Sequence, residues 1–126
     1  MLEHGATTLW ERWEGGAGGE MNSHNHPMHG GYQSWLYERL AGLRLAEDAC
    51  GGDRLIVIPR PGLGVTRCSA SLVTPHGRVA ITWHVADGRF SGELVVPPGC
   101  TATVKLPDGS VQTCRGGSFS LSCTGL

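Results

Sequence analysis

Hydrophobic and polar positions follow two different periods along the chain, and the change falls near residue 50. From Tyr32 to Leu45 the spacing is helical: Tyr32, Leu36, Leu40 and Leu43 recur at steps of four, four and three, while Glu38, Arg39 and Arg44 fall off that line. The pattern predicts a helix of roughly three to four turns with one apolar stripe. AEDACGGD then breaks it and reads as a linker. Beyond Asp53 the period is two. RLIVIP is a continuous apolar run, and GRVAITWHVADGR sets Val79, Ile81, Trp83 and Val85 on one face against Arg78, Ala80, Thr82 and His84 on the other. Phe90 and Leu94, then Ala102, Val104 and Leu106, then Phe119, Leu121 and Cys123 continue the inward set. TPHG, ADGR, LPDG and RGGS supply the Gly, Asp and Pro of hairpin turns. About six or seven short strands at this spacing predict a mainly β chain, an antiparallel β-sandwich.

The front of the chain is different. Leu9, Trp10, Trp13, Trp35, Leu36 and Leu40 carry more apolar surface than one helix covers. Residues 1 to 45 are therefore expected to be the tail of a larger helical domain whose remainder is absent from this chain. Met1 is then expected to be an internal methionine.

Composition narrows the partners. Of 126 residues only 17% are charged and the formal net charge is −1, which leaves no basic face for nucleic acid and no polybasic run for a membrane. No apolar run approaches the ~18–20 residues of a membrane span, and MLEHGATTLW lacks the basic start and apolar core of a signal peptide. A cytoplasmic chain or an internal fragment fits equally well. Five cysteines, Cys50, Cys68, Cys100, Cys114 and Cys123, are odd in number and form no C-x-x-C pair. They read as small thiols buried on strands, with one disulfide among the last three open in a secreted protein.

Two groups of residues suggest chemistry. His24, His26 and His29, with His4 upstream, offer imidazoles in an H-x-H-x-x-H run that suits Zn, Cu or Ni. A cupin-like site would need a glutamate three or four residues on, where Gly30 and Gly31 stand, and no cysteine lies near to complete a structural zinc site. Glu11 lies between Trp10 and Trp13 with Arg12 adjacent, a setting for a general base. Aromatic rings beside a carboxylate also suit a sugar, with Asn25, His26 and Gln33 to meet its hydroxyls. The bland reading is a buried glutamate paired with arginine in a helical core. Spacing alone leaves these readings open, along with a stand-alone carbohydrate-binding or structural sandwich carrying an amphipathic arm.

GATTLWERWEG followed by MNSHNHPMHGGYQSWLYERLAGLR closely resembles the closing segment of the catalytic domain of bacterial-type α-L-rhamnosidases, glycoside hydrolase family 78. LIVIPRPGLGVTRCSASLVTPHGRVAITWHV and LVVPPGCTATVKLPDGS resemble that family's C-terminal β-sandwich. The resemblance runs from Gly5 to about Phe119. It implies that residues 1–46 are the last inter-helix loop and final helix of a truncated (α/α)6 barrel, and that residues 47–126 are the sandwich. It implies inverting hydrolysis of terminal α-L-rhamnose in plant glycosides or polysaccharides, with no metal or other cofactor. By the family's Trp-Glu-Arg-Trp motif Glu11 is the general base, and by its Asn-His pair Asn25 and His26 face the sugar, His26 in the −1 subsite. Trp10 and Trp13 are then pocket wall or barrel packing. The family's general acid lies upstream of anything in this chain, and Glu14 is too near Glu11 to reach the opposite face of a sugar. The chain would need the missing part of the barrel to act. Pro27 stiffens the approach that aims His26, and His29 reads as a hydrogen bonder at the helix start.

Overall fold

Alternation after Asp53 dictates strands with one dry face, and two of those strands are long enough to serve both layers of a sandwich. The structure, a computed structural model, describes residues 2–13, 23–62 and 64–125. Contacts gather the chain into two units, Met1–Gln33 and Ser34–Leu126. The second unit holds, among the described residues, six strands: β1 Leu43–Leu45, β2 Arg54–Val57, β3 Arg67–Thr74, β4 Gly77–Ala86, β5 Arg89–Lys105 and β6 Val111–Thr124. Their order is β1-β2-β5-β4-β3, with β6 along β5. β4 pairs with the first half of β5 and β2 with the second half, while β6 follows both.

The inward set is the one the alternation predicts. Val79, Ile81, Trp83, Phe90, Leu94, Ala102, Val104, Leu106, Leu121 and Cys123 are all buried, and Phe119 and Val85 pack against them. Trp83 meets Phe90 at 6.1 Å between ring centres. Gly92 lies opposite Trp83, where an added Cβ would come within 2.7 Å of the Thr82 carbonyl oxygen and 3.1 Å of the Trp83 Cβ. Glycine is therefore the residue that fits beside this part of the core. The five cysteines are free: Cys100, Cys114 and Cys123 are buried, Cys68 is half-buried and Cys50 is exposed. Burial pushes the Cys100 and Cys114 thiols up, Asp53 adding to the effect at Cys100, so both stay protonated and inert at neutral pH.

Three expectations change. RGGS does not turn the chain: Gly116 and Gly117, at φ 42° and 138°, stay within β6, opposite the extra residues that β5 carries between Val96 and Thr101. One pairing, β2 with β5, is parallel, since β3 and β4 lie between them in the chain and supply the crossover that parallel strands require. The predicted helix is also shorter. α1, Tyr32–Trp35, continues as a π turn over Leu36–Ala41 and stops at Gly42 in the left-handed region, so Leu43 is buried as part of β1. The stop has a steric cause. At φ 79° a Cβ on Gly42 would sit 2.1 Å from the carbonyl oxygen of Ile58, whose N–H donates to the Gly42 carbonyl at 2.7 Å. No helix among the described residues is long and apolar enough to cross a membrane.

Gly42→Ala and Gly99→Ala separate the two costs, because Gly99 shares the φ of 79° but has open space around its Cβ position. Gly99→Ala should cost about 1–2 kcal/mol of left-handed strain. Gly42→Ala should cost at least about 2 kcal/mol more, since backbone must move. Urea midpoints of the two variants check this, and equal midpoints would refute the close approach.

Candidate active site

The first unit is built on backbone pairing between two short extended segments. Glu11 N–H donates to the Ser23 carbonyl at 2.8 Å and His26 N–H to the Leu9 carbonyl at 2.8 Å. Thr8 Oγ1 adds a bond to the His24 carbonyl, and Asn25 N–H one to Ser23 Oγ at 3.3 Å. This brings residues 9–11 beside 23–26. Glu14 and the glycine-rich loop of Gly15 to Gly19 lie outside the described residues.

The pairing brings two of the candidate residues together. Glu11 Oε2 accepts the Ser23 N–H at 3.0 Å and lies 3.9 Å from His26 Nδ1, with the Glu11 and His26 side chains 21% and 18% exposed. At that separation the carboxylate and the imidazole interact electrostatically without a direct hydrogen bond. The carboxylate is thus anchored at one oxygen by a backbone donor and shielded without being sealed. His26 is extended, φ −95° and ψ 104°, as the residue before a proline prefers, and Pro27 opens the 3₁₀ turn Pro27–Gly31.

The other candidates take different places. Trp10 stacks on His24 at 4.2 Å and 12°, with His4 at 6.4 Å on the same indole. His24 therefore supports an aromatic pair. Trp13 is 75% exposed, and Asn25 is exposed as well. His29 N–H donates to the His26 carbonyl at 3.3 Å, within the turn, and its ring tilts against His26 at 5.1 Å. Among the described residues no three His, Cys, Asp or Glu side chains gather as a metal site. Two contributors escaped the reading of side chains. Ser23 acts through its amide, which any residue but proline supplies, and the Trp10–His24 stack spans fourteen positions with no periodic signal.

A mainly β unit preceded by a loop that holds a glutamate near a histidine is similar, along nearly its whole length, to the end of a glycosidase. The profile of the bacterial alpha-L-rhamnosidase C-terminal domain matches residues 42–118, and that of the bacterial alpha-L-rhamnosidase six-hairpin glycosidase domain matches residues 1–40. An alpha-L-rhamnosidase of Formosa agariphila is 36% identical over 120 residues, covering 90% of this chain and 13% of that protein. The crystal structure of an Aspergillus terreus α-L-rhamnosidase superposes with a TM-score of 0.88 at 31% identity, over 98% of this chain and 15% of the other. That of the Streptomyces avermitilis enzyme complexed with L-rhamnose gives 0.85 at 31%, over 98% and 14%. The chain belongs to the bacterial α-L-rhamnosidase family, glycoside hydrolase family 78. It spans about an eighth of the length of the curated relative named above.

The anchor on Glu11 is open to test by amide exchange. Glu11→Ala removes the acceptor and should speed exchange of the Ser23 amide about tenfold, the loss of ~1.4 kcal/mol of a charge-assisted bond. Glu11→Gln keeps an acceptor and should leave most of the protection. Equal exchange in all three proteins would show that Oε2 does not hold this amide.

Proposed function

We propose that residues 1–46 close the helical catalytic barrel of an inverting α-L-rhamnosidase and that residues 47–126 are its C-terminal sandwich. The substrate is a terminal, non-reducing α-L-rhamnose residue of an α-L-rhamnoside. Glu11 is the general base. It takes a proton from a water as that water's oxygen attacks the anomeric carbon, while a general acid protonates the departing glycosidic oxygen from the opposite face. Inversion needs the two carboxyl groups ~6.5–9.5 Å apart. No residue of this chain matches the acid, which would come from the rest of the barrel. His26 contacts the sugar, with Asn25 beside it, and Trp10 and Trp13 belong to the wall of the pocket.

The observation that supports this reading most is the placement of Glu11. A base must stay ionised yet be aimed, and the Ser23 amide holds one oxygen while His26 lies 3.9 Å away on the same side.

The test is a chimera in which residues 5–118 replace the matching segment of the Streptomyces avermitilis α-L-rhamnosidase. It should release nitrophenol from p-nitrophenyl α-L-rhamnoside, while the 126-residue chain alone should not. In the chimera Glu11→Gln should lower kcat by about three orders of magnitude or more with little change in KM. His26→Ala should mainly raise KM. Near-unchanged turnover after Glu11→Gln, in a chimera that is otherwise active, would sink the base assignment.

A further inference from the structure

The crossing at Gly42 gathers charge that the chain otherwise keeps scattered. Residues 40–44 run antiparallel to 56–60: Arg44 pairs with Ile56, Ile58 N–H donates to the Gly42 carbonyl and Arg60 N–H to the Leu40 carbonyl at 3.4 Å. Leu43, Val57 and Pro59 point into the core, so Arg44, Ile58 and Arg60 face outward. Arg39 arrives from the last turn before Gly42. These residues, with Glu38, enclose a cavity of about 220 Å³.

Three of the chain's ten basic residues line this one cavity, and among the described residues none of their guanidiniums makes an ion pair or side-chain hydrogen bond. Arg54, by contrast, is engaged by Asp48 and Asp53. Guanidiniums brought together repel unless an anion lies between them, and each offers a planar fork that matches an oxyanion. With Glu38 among the lining residues the formal surplus is two positive charges, which attracts an anion. Ile58 and the bare backbone of Gly42 give the cavity a less polar wall, and its volume exceeds what a lone carboxylate fills.

We propose that this cavity is a binding site for a small-molecule carboxylate, held by the forks of Arg39, Arg44 and Arg60, with Ile58 and Gly42 against the ligand's carbon skeleton. The site is independent of Glu11 and of the hydrolytic reading above.

The test uses the 126-residue chain, with glucuronate as probe and glucose, acetate and phosphate as comparisons, followed through arginine Nε–Hε signals in NMR. Glucuronate should shift the signals of Arg39, Arg44 and Arg60 saturably, with Kd of order ~1–10 mM, weakening several-fold between low and ~0.3 M salt. Glucose, which lacks the carboxylate, should leave them unmoved, and acetate should bind more weakly than glucuronate. Arg44→Gln with Arg60→Gln should abolish the shifts. Arg44→Lys with Arg60→Lys keeps the charge but loses the forks and should weaken binding at least about threefold. Should the Gln pair fail to fold, the Lys pair and Arg39→Gln carry the comparison. No saturable shift with glucuronate, equal binding by the Lys pair, or tighter binding of phosphate would each overturn the carboxylate site.

Discussion

The sandwich depends on a mismatch between two neighbouring strands. Between Val96 and Thr101, β5 carries Pro97, Pro98, Gly99 and Cys100, while between its partners Gly117 and Arg115, β6 carries only Gly116. The difference bends both strands at one place, so that β4 and β2, hydrogen-bonded to successive halves of the same edge of β5, turn their apolar faces toward a shared core. Side-chain direction has to survive the bend. On β5 the buried positions, Pro97 apart, stay even from Phe90 to Val104, but on β6 they are Cys114 before the irregularity and Leu121 and Cys123 after it, an odd separation. In a regular strand an odd step crosses to the other face. Gly116 and Gly117 absorb the odd residue, and their positive φ values are what residues with side chains adopt only at a cost.

This explains which parts of the fold were legible. Burial on a strand is a matter of alternation, so Val79, Ile81, Trp83, Leu94 and Val104 announce themselves in the sequence. A Gly-Gly pair flanked by polar residues is ambiguous between a turn and a bulge, because both need positive φ; what decides is whether the partner strand also has residues to spare. That information lies far along the chain, in Pro97 to Cys100. The same limit hid the end of α1. The stripe of Tyr32, Leu36, Leu40 and Leu43 is a good helical pattern, yet Gly42 stops the helix because the Ile58 carbonyl occupies the space a side chain would need. Leu43 then keeps its inward direction by a different rule, alternation in β1.

At the candidate site the split is between side chains and backbone. Glu11 and His26 are visible because their chemistry is in their side chains and their motifs resemble a family. What sets their geometry is the pairing of residues 9–11 with 23–26, which runs through amides and carbonyls and leaves no trace in composition. Histidines show this most plainly. Four of them lie in the first 29 residues, and the structure gives them separate work: His24 and His4 on Trp10, His26 near Glu11, His29 against His26. A dense run of imidazoles suggests a shared metal, but side-chain direction along an irregular segment follows the local backbone, and His24 and His26 end with different neighbours.

Net charge misleads in a related way. A formal charge of −1 excludes an extended basic surface, since a polyanion must be met by many cations in a row. It says nothing about a small cavity, which arginines from positions 39, 44 and 60 line with Glu38 as the one acidic residue of its lining. The fold gathers them through the Gly42 crossing, the same contact that ends the helix and starts the sheet. A glycine required for backbone clearance therefore also determines where positive charge collects, and any substitution that separates residues 40–44 from 56–60 must disperse the arginines along with the hydrogen bonds.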